Sequence, residues 1–114
     1  MLNRENRLKK NKEFNYIYKK GKYINSSDFT IHYVDTYLKF SKFGIVVNKK
    51  LGNSVMRSRA KRVMSEIVRL NLDNLAVKNY VLVLKPTFLE KNYNELEQQF
   101  LSSMAKFNLL KKGL

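Results

Sequence analysis

Hydrophobic and polar positions recur along the chain with periods that predict six elements, in the order α-β-β-α-β-α. The first predicted helix spans residues 11–20, where Asn11 can cap the start, Glu13 lies in the first turn and Gly21 is placed to end it. Residues 28–37 are rich in β-branched and aromatic side chains, and they predict a strand. Two sets of side chains alternate along it and should face opposite sides of the sheet, one towards the core: Phe29, Ile31 and Tyr33 in the first set, and Thr30, His32 and Val34 in the second.

The second half of the chain supplies the other elements. A strand–helix–strand pattern comes first, with a short buried strand at residues 43–48, a helix at 54–72 and the most apolar strand of the chain at 80–84. Asn92 and Glu95 then resemble a capping box, which opens a last helix that extends to about Leu110.

Together these elements predict one small α/β domain over residues 1–114. A strand–helix–strand pattern implies two parallel strands joined by a βαβ crossover. A chain of 114 residues, 44% of them hydrophobic, is long enough for a single modest core. The expected architecture is a single-domain α-β sandwich, with helices packed on one sheet.

The charge balance points to a polyanionic partner. Lysine and arginine total 23 against 9 acidic residues, for a net charge of +14. Residues 1–22 hold eight of these cations in a segment whose first ten residues are expected to be extended, and residues 49–69 hold seven. Clustered cations gain free energy by displacing counterions from phosphates, so nucleic acid is the first candidate and an anionic membrane surface the second.

Composition also limits the chemistry that the chain can perform. Without cysteine it can form neither disulfides nor a thiolate metal site, and it has a single histidine. No carboxylate cluster has the spacing of a metal site or an acid–base pair, so we expect neither catalytic nor metal-binding residues. There is no apolar run of membrane-spanning length and no signal-peptide pattern, which favours a soluble cytoplasmic protein.

The predicted helix at 54–72 has an apolar face and a basic face. Its apolar stripe consists of Met56, Ala60, Val63, Met64 and Ile67. The opposite face carries Ser58, Lys61, Arg62, Ser65 and Arg69, with Arg57 and Arg59 on its flanks.

A solvated helix surface is the simpler interpretation of these basic residues. Only Glu66 offsets their charge, however, and the first turns of a helix disfavour cations because of the helix dipole. Arginine, which dominates here, is suited to bidentate contact with phosphate. The pattern therefore favours a nucleic-acid contact.

The segment K-K-L-G-N-S-V-M-R-S-R-A-K-R resembles the signature of the protein subunit of bacterial ribonuclease P. The matching positions are Lys49, Lys50, Gly52, Asn53, Val55, Arg57, Arg59, Lys61 and Arg62. The opening R-L-K-K-N-K-E-F-N-Y-I-Y-K-K-G is also similar to that of the family. The chain departs from the family pattern at Ser58, where asparagine is usual, at Ser54, where alanine is common, and at Ser65, where a further basic residue is frequent.

The resemblance implies a role in a ribonucleoprotein that removes the 5′ leader from precursor tRNA. In this family an RNA subunit catalyses the hydrolysis with bound Mg²⁺, and one protein docks on each RNA; neither a membrane nor a small-molecule substrate is involved. The family's βαβ crossover is left-handed, whereas general rules predict a right-handed one. The implied contacts with the catalytic RNA are Gly52, Asn53, Arg57, Ser58, Arg59, Lys61 and Arg62.

The resemblance also implies a cleft for the single-stranded leader between the first helix and the sheet. Aromatic side chains suit this role because every unpaired base offers a π-face for stacking. Ile17 shares one helix face with two of the implied residues and is either a core or a cleft residue. Leu84 stands where the family often has an arginine. The implied leader contacts are Phe14, Tyr18, Thr30, His32, Lys49, Lys50 and Lys85.

Three alternatives remain open at this stage. A ribosomal or general RNA-binding protein would fit the charge and size equally well. A helix-turn-helix DNA-binding protein would need a helix just upstream of residues 54–72, where the sequence predicts a strand. A membrane-surface protein is disfavoured because the basic helix lacks large aromatic side chains at its apolar edge.

Overall fold

The computed structural model describes residues 2–111; Met1 and residues 112–114 of the predicted domain lie outside the described part. Within residues 2–111, three helices and four strands follow one another in a mixed α/β arrangement. They are α1 (Asn11–Lys20), β1 (Lys22–Asn25), β2 (Phe29–Val34), β3 (Lys42–Val47), α2 (Ser54–Asn71), β4 (Asn79–Leu84) and α3 (Tyr93–Lys106).

The four strands form one sheet in the order β1-β2-β4-β3. Strand β4 pairs in parallel with β3, which confirms the predicted βαβ unit, and antiparallel with β2. Strand β1, which pairs antiparallel with β2, is absent from the predicted elements. It has only four residues, of which Ile24 alone is buried, so it carries almost no hydrophobic signal.

One face of the sheet packs against α2 and α3 and forms the main core. Phe43 stacks on Tyr80, with ring centroids 4.9 Å apart and an angle of 8° between the planes. The two helices contribute apolar side chains from successive turns to this core, chiefly Ala60, Met64, Ile67, Val68, Leu96, Phe100 and Met104. As predicted, Phe29 and Ile31 of β2 face this side.

The opposite face carries α1 and a smaller apolar cluster. Ile17 is buried against Val81, so it is a core residue and not a cleft residue. Gly44 allows this close packing, since a Cβ there would lie 2.3 Å from Cε2 of Phe14. Gly21 ends α1 with extended backbone, and a Cβ there would lie 2.4 Å from the carbonyl oxygen of Tyr33. At both glycines a side chain is excluded by close packing.

The start of α3 matches the sequence prediction, whereas the start of α1 and the end of α3 differ from it. The backbone N–H of Glu95 donates to Asn92 Oδ1 (2.9 Å) and that of Asn92 to Glu95 Oε1 (3.1 Å), which confirms the capping box. At α1 the cap position is Lys10 and not Asn11, because Glu13 Oε1 accepts the Lys10 N–H at 3.1 Å. Helix α3 ends at Lys106, short of the predicted Leu110.

The N-terminal arm, residues 2–10, lies beside β3. It is mostly extended, as expected, apart from a short 3-10 turn at Arg4–Asn6. The backbone N–H of Leu8 donates to the carbonyl of Phe43 at 3.0 Å, and Asn6 Nδ2 donates to the carbonyl of Ser41 at 2.7 Å. The arm thereby covers the first part of an otherwise open sheet edge.

Asp28 joins three parts of the fold. Its carboxylate, 1% exposed, accepts hydrogen bonds from Thr87 Oγ1 at 2.7 Å and Gln99 Nε2 at 2.9 Å, and pairs with Lys91 Nζ at 3.2 Å. Burial alone would raise the pKa of Asp28, but these donors lower it below its ordinary value. Its carbonyl also accepts the Lys85 N–H at 3.0 Å, which fixes the end of β4.

We expect Asp28→Ala to lower the free energy of unfolding by about 3 kcal/mol, because it leaves two partly buried donors, Thr87 and Gln99, and the Lys91 cation without their shared acceptor. Lys91→Ala removes only the partly exposed partner and should cost about 1 kcal/mol. Urea denaturation measures both. Equal losses in the two variants would show that the hydrogen bonds to Asp28 add nothing beyond the ion pair.

Candidate nucleic-acid interface

The start of α2 is built by Gly52 and Asn53. Gly52 has φ of 154°, a conformation that favours glycine, and a Cβ there would lie 2.6 Å from Sδ of Met56. Asn53 caps the helix, since its Oδ1 accepts the Met56 N–H at 3.0 Å. These two residues of the predicted RNA-binding set therefore shape the turn that orients the helix.

The predicted apolar stripe of α2 is wrong at its first position. Met56 is 41% exposed, and its side chain lies against Gly52 instead of the core. The buried stripe begins at Ala60 and continues to Val68 and Asn71 at the other end.

The basic residues of α2 lie on two different sides of the helix. Arg57, Ser58 and Lys61 line a groove between the helix and the open edge of β3, together with Ile45, Val46, Val47 and Ser54. Nε of Arg57 is enclosed and has no hydrogen-bond partner in the part of the chain that the structure describes. This guanidinium is a donor that a bound anion could satisfy.

Arg59 and Arg62 are exposed on the outer side of α2. Arg69 on the same helix donates to Glu66 Oε1 and forms an ion pair with it. Within residues 2–111, no carboxylate pairs with Arg57, Arg59, Lys61 or Arg62. Helix α2 thus presents two unneutralised basic surfaces, one in the β3 groove and one facing outward.

The predicted leader cleft follows from the way α1 crosses the sheet. The register aligns Gly44, Val81, His32 and Tyr23 in one row across the four strands. Phe14 lies over Gly44 at one end of this row. At the other end Tyr18 meets His32 edge-on, with ring centroids 4.9 Å apart and planes at 86°.

The next row of the sheet would form the floor of the predicted leader cleft. It consists of Val46, Val83, Thr30 and Asn25, which lie two residues further along each strand. Val46, Val83 and Thr30 are only partly buried, since α1 covers the preceding row. Tyr23 and Asn25 lie on the unpredicted strand β1, and Tyr23 is 5.9 Å from His32 by ring centroids.

Val46, Val83, Tyr23 and Asn25 are absent from the predicted site. Strict alternation along residues 43–48 and 80–84 could have identified the two valines, because it places them opposite the core-facing side chains. No signal of that kind exists for Tyr23 and Asn25, whose strand is short and mostly exposed.

The three predicted lysines lie at one end of the sheet. Lys85 follows β4, and its Nζ donates to Asn25 Oδ1 at 2.7 Å and to the carbonyl of Ser26 at 2.5 Å. Lys49 and Lys50 follow β3 in a short exposed turn. Because β3 and β4 are parallel, their ends meet at the same edge, so these lysines stand beyond the floor of the cleft.

Partial burial favours the uncharged forms of His32 and Tyr18, the two rings that form the wall of the predicted cleft. It lowers the pKa of His32 and raises that of Tyr18. Both side chains are therefore uncharged at pH 7 and offer ring faces and edges.

We expect His32 to titrate with a pKa below 6.5, because partial burial disfavours the imidazolium. Since the chain has one histidine, its ring signals in a ¹H–¹³C NMR titration are assigned without further work. A pKa lowered on folding makes unfolding easier as the pH falls from about 6.5 through the folded value. A titration at or above 6.5 in the folded protein would contradict the burial of this ring.

Two further features of the described residues bear on partners. Within residues 2–111, no three His, Asp or Glu side chains come together as a group that could hold a metal ion. No helix in the same part of the chain is both long enough and apolar enough to span a membrane.

The fold and these surfaces define a small α/β protein with two basic surfaces on one helix. The ribonuclease P family model matches residues 2–108, and the chain belongs to this family. The ribonuclease P protein component of Alkaliphilus metalliredigens is 37% identical over 106 residues, which cover 92% of this chain and 96% of that protein.

Solved structures agree with this assignment. The RNase P protein of Staphylococcus aureus superposes with a TM-score of 0.85 at 23% identity, covering 93% of this chain and 98% of that one. The RNase P protein of Thermotoga maritima gives a TM-score of 0.77 at 25% identity, covering 84% and 92%. The predicted α-β sandwich is thereby confirmed, and a left-handed crossover is consistent with these matches.

The family assignment also bears on the alternatives. It favours ribonuclease P over an unrelated ribosomal protein. The helix-turn-helix interpretation is wrong, because the segment before α2 is strand β3 followed by a short turn.

Proposed function

We propose that this chain is the protein subunit of a ribonuclease P ribonucleoprotein, which binds the catalytic RNA through α2 and the 5′ leader of precursor tRNA in the cleft beside α1. The observation that carries the proposal is the uncovered row of Val46, Val83 and Thr30, which lies beside aromatic rings and ends in lysines. A flat, partly apolar strip of this kind suits unpaired nucleotides.

The two basic sides of α2 suit a folded RNA that contacts the helix from more than one direction. Arg57 and Lys61 in the groove, and Arg59 and Arg62 outside it, have no carboxylate partners among residues 2–111, so phosphates meet no internal competitor. Arginine can bind two phosphate oxygens at once. Ser58 lies in the groove and offers a hydroxyl for a shorter-range contact than asparagine would.

The leader contacts combine stacking with neutralisation of phosphate charge. Tyr18 and His32 present neutral rings at the wall, and Thr30 adds a hydroxyl on the floor. Phe14 lies over Gly44 of β3, at the opposite end of the row that α1 crosses, and it extends the apolar strip. An RNA strand that runs along the floor would leave the sheet at the ends of β3 and β4. Its phosphates would there meet Lys49, Lys50 and Lys85.

This protein contributes binding, and the hydrolysis belongs to the RNA. We assign Mg²⁺ to the RNA subunit and the substrate, because the carboxylates and the histidine of residues 2–111 do not converge on one point. The protein's part is to position the leader and to neutralise phosphate repulsion between the RNAs. We propose one protein per catalytic RNA, acting in the cytoplasm.

Reconstitution tests the proposal directly. Adding this chain to a bacterial ribonuclease P RNA should raise the rate of precursor-tRNA cleavage at low Mg²⁺, since the protein supplies cations that would otherwise have to come from solution. Release of the 5′ leader, followed on a gel, measures the rate. The assignment fails if no protein concentration raises that rate.

Paired substitutions separate the two sides of α2. We expect Arg57→Ala with Lys61→Ala to weaken binding to the catalytic RNA by about 2 kcal/mol, or roughly 30-fold, at about 1 kcal/mol per lost contact. Arg59→Ala with Arg62→Ala tests the outer side. Lys106→Ala with Lys111→Ala removes the same charge from the α3 end and is the control. Filter binding at fixed salt measures the RNA affinity of all three double variants. Equal losses of affinity would show that only the net charge of the protein matters for binding.

The leader contacts predict a selective loss of affinity. Tyr18→Ala should weaken holoenzyme binding to precursor tRNA by about 1–3 kcal/mol and leave mature tRNA unchanged, because only the precursor carries a leader. Phe14→Ala should act in the same direction. Tyr16→Ala removes an exposed tyrosine elsewhere on α1 and serves as the matched control. A similar loss for both tRNAs would place the rings outside the leader site.

A further inference from the structure

The N-terminal arm and the loop between β2 and β3 together form a basic depression that the proposed function does not use. Its cations are Arg4, Arg7, Lys9, Lys10, Lys12 and Lys42, and Phe40 lies among them. Two carboxylates share the depression, Glu5 and Glu13. Glu13 accepts the backbone N–H groups of Lys9 and Lys10 and pairs with Lys42 Nζ at 4.0 Å. The cations still outnumber the carboxylates, so the depression keeps an excess of positive charge.

Aromatic exposure in the loop is the second, independent feature. Phe40 is 37% exposed, and Tyr37, further along the same loop, projects fully into solvent. A single exposed ring is common on protein surfaces, but Phe40 lies among cations, and this combination suits a partner with both apolar faces and negative charge. Unpaired nucleotides have this combination.

The depression also continues towards α2. Arg7 lines both this depression and a neighbouring one, which contains Phe14, Gly44 and Lys61. Lys61 in turn belongs to the groove of Arg57 along β3. A basic track therefore runs along the sheet edge, from the N-terminal arm to the basic helix.

We propose that the depression formed by the N-terminal arm and the β2–β3 loop is a second binding site for single-stranded RNA, in which a base stacks on Phe40 and Arg4 and Lys9 contact the flanking phosphates. Its concave shape and its continuity with α2 favour a polymer strand over the flat surface of a membrane. The site lies outside the leader cleft and extends the RNA-binding surface beyond the roles proposed above.

The chain contains no tryptophan, which makes a local test possible. Phe40→Trp places a single tryptophan in the depression, and Phe107→Trp places one at the end of α3, on a phenylalanine of similar exposure (46%). We expect a ten-nucleotide single-stranded oligoadenylate to quench the fluorescence of Phe40→Trp but not that of Phe107→Trp, because stacking on a base quenches indole emission. A blunt RNA duplex, whose bases are already stacked, should quench neither.

Charge removal tests the phosphate contacts in the same assay. Added to Phe40→Trp, the pair Arg4→Gln and Lys9→Gln should raise the oligoadenylate concentration at half-quenching about tenfold. The slope of log affinity against log salt should fall by about 1.4, at about 0.7 per phosphate contact for single strands. Lys106→Gln with Lys111→Gln removes equal charge elsewhere and should leave both quantities unchanged.

Four results would overturn the proposal: no quenching of Phe40→Trp, equal quenching of Phe107→Trp, equal quenching by the duplex, or equal effects of the two charge pairs. Vesicles containing phosphatidylglycerol provide a further arm. A blue shift of Phe40→Trp with vesicles, and no quenching with RNA, would assign the surface to a membrane. The probes carry neither a tRNA nor the catalytic RNA, so failure here leaves the reconstitution result unaffected.

Discussion

The close contact of α1 with a single row of the sheet is the constraint on which the rest of this structure depends. At Gly44 the ring of Phe14 occupies the space of a side chain, and at Gly21 the chain passes against the backbone of β2. These two approaches place a ten-residue helix across one end of the sheet. The next row is only partly buried, and it is the row proposed to hold the leader. Two residues without side chains thus determine which row of the sheet stays accessible.

The distribution of acidic residues explains why so much positive charge remains available. Asp28 links the β1–β2 hairpin to the end of β4 and to α3. Asp35 pairs with Lys78 at 2.6 Å. Glu13 and Glu95 accept backbone N–H groups at helix starts. These carboxylates support the fold, so few are left to neutralise α2 or the N-terminal arm. The acidic side chains therefore serve folding, whereas the basic side chains of α2 and the arm remain available for the proposed RNA binding.

Much of the fold was predictable because its signals are local. The period of α2 and the capping box of Asn92 are decided within one or two helical turns. Strand β1 was missed because it is short and mostly exposed, and the position of the N-terminal arm beside β3 was not predictable because it depends on contacts with distant residues, such as that of Leu8 with Phe43. For the site, alternation along β2 correctly placed Thr30 and His32 on the face opposite the core. The division of the basic helix into two sides could not be predicted, since it depends on where the edge of β3 lies.

The enclosed guanidinium of Arg57 has a consequence for the lifetime of the protein. Its Nε lacks a partner among residues 2–111, and an unsatisfied buried donor costs free energy in the unbound chain. A ligand that binds only the folded chain stabilises it by mass action, so the RNA contact proposed for this groove would link binding to folding. Under that proposal, copies without RNA would unfold more often than bound copies and would be more exposed to proteolysis.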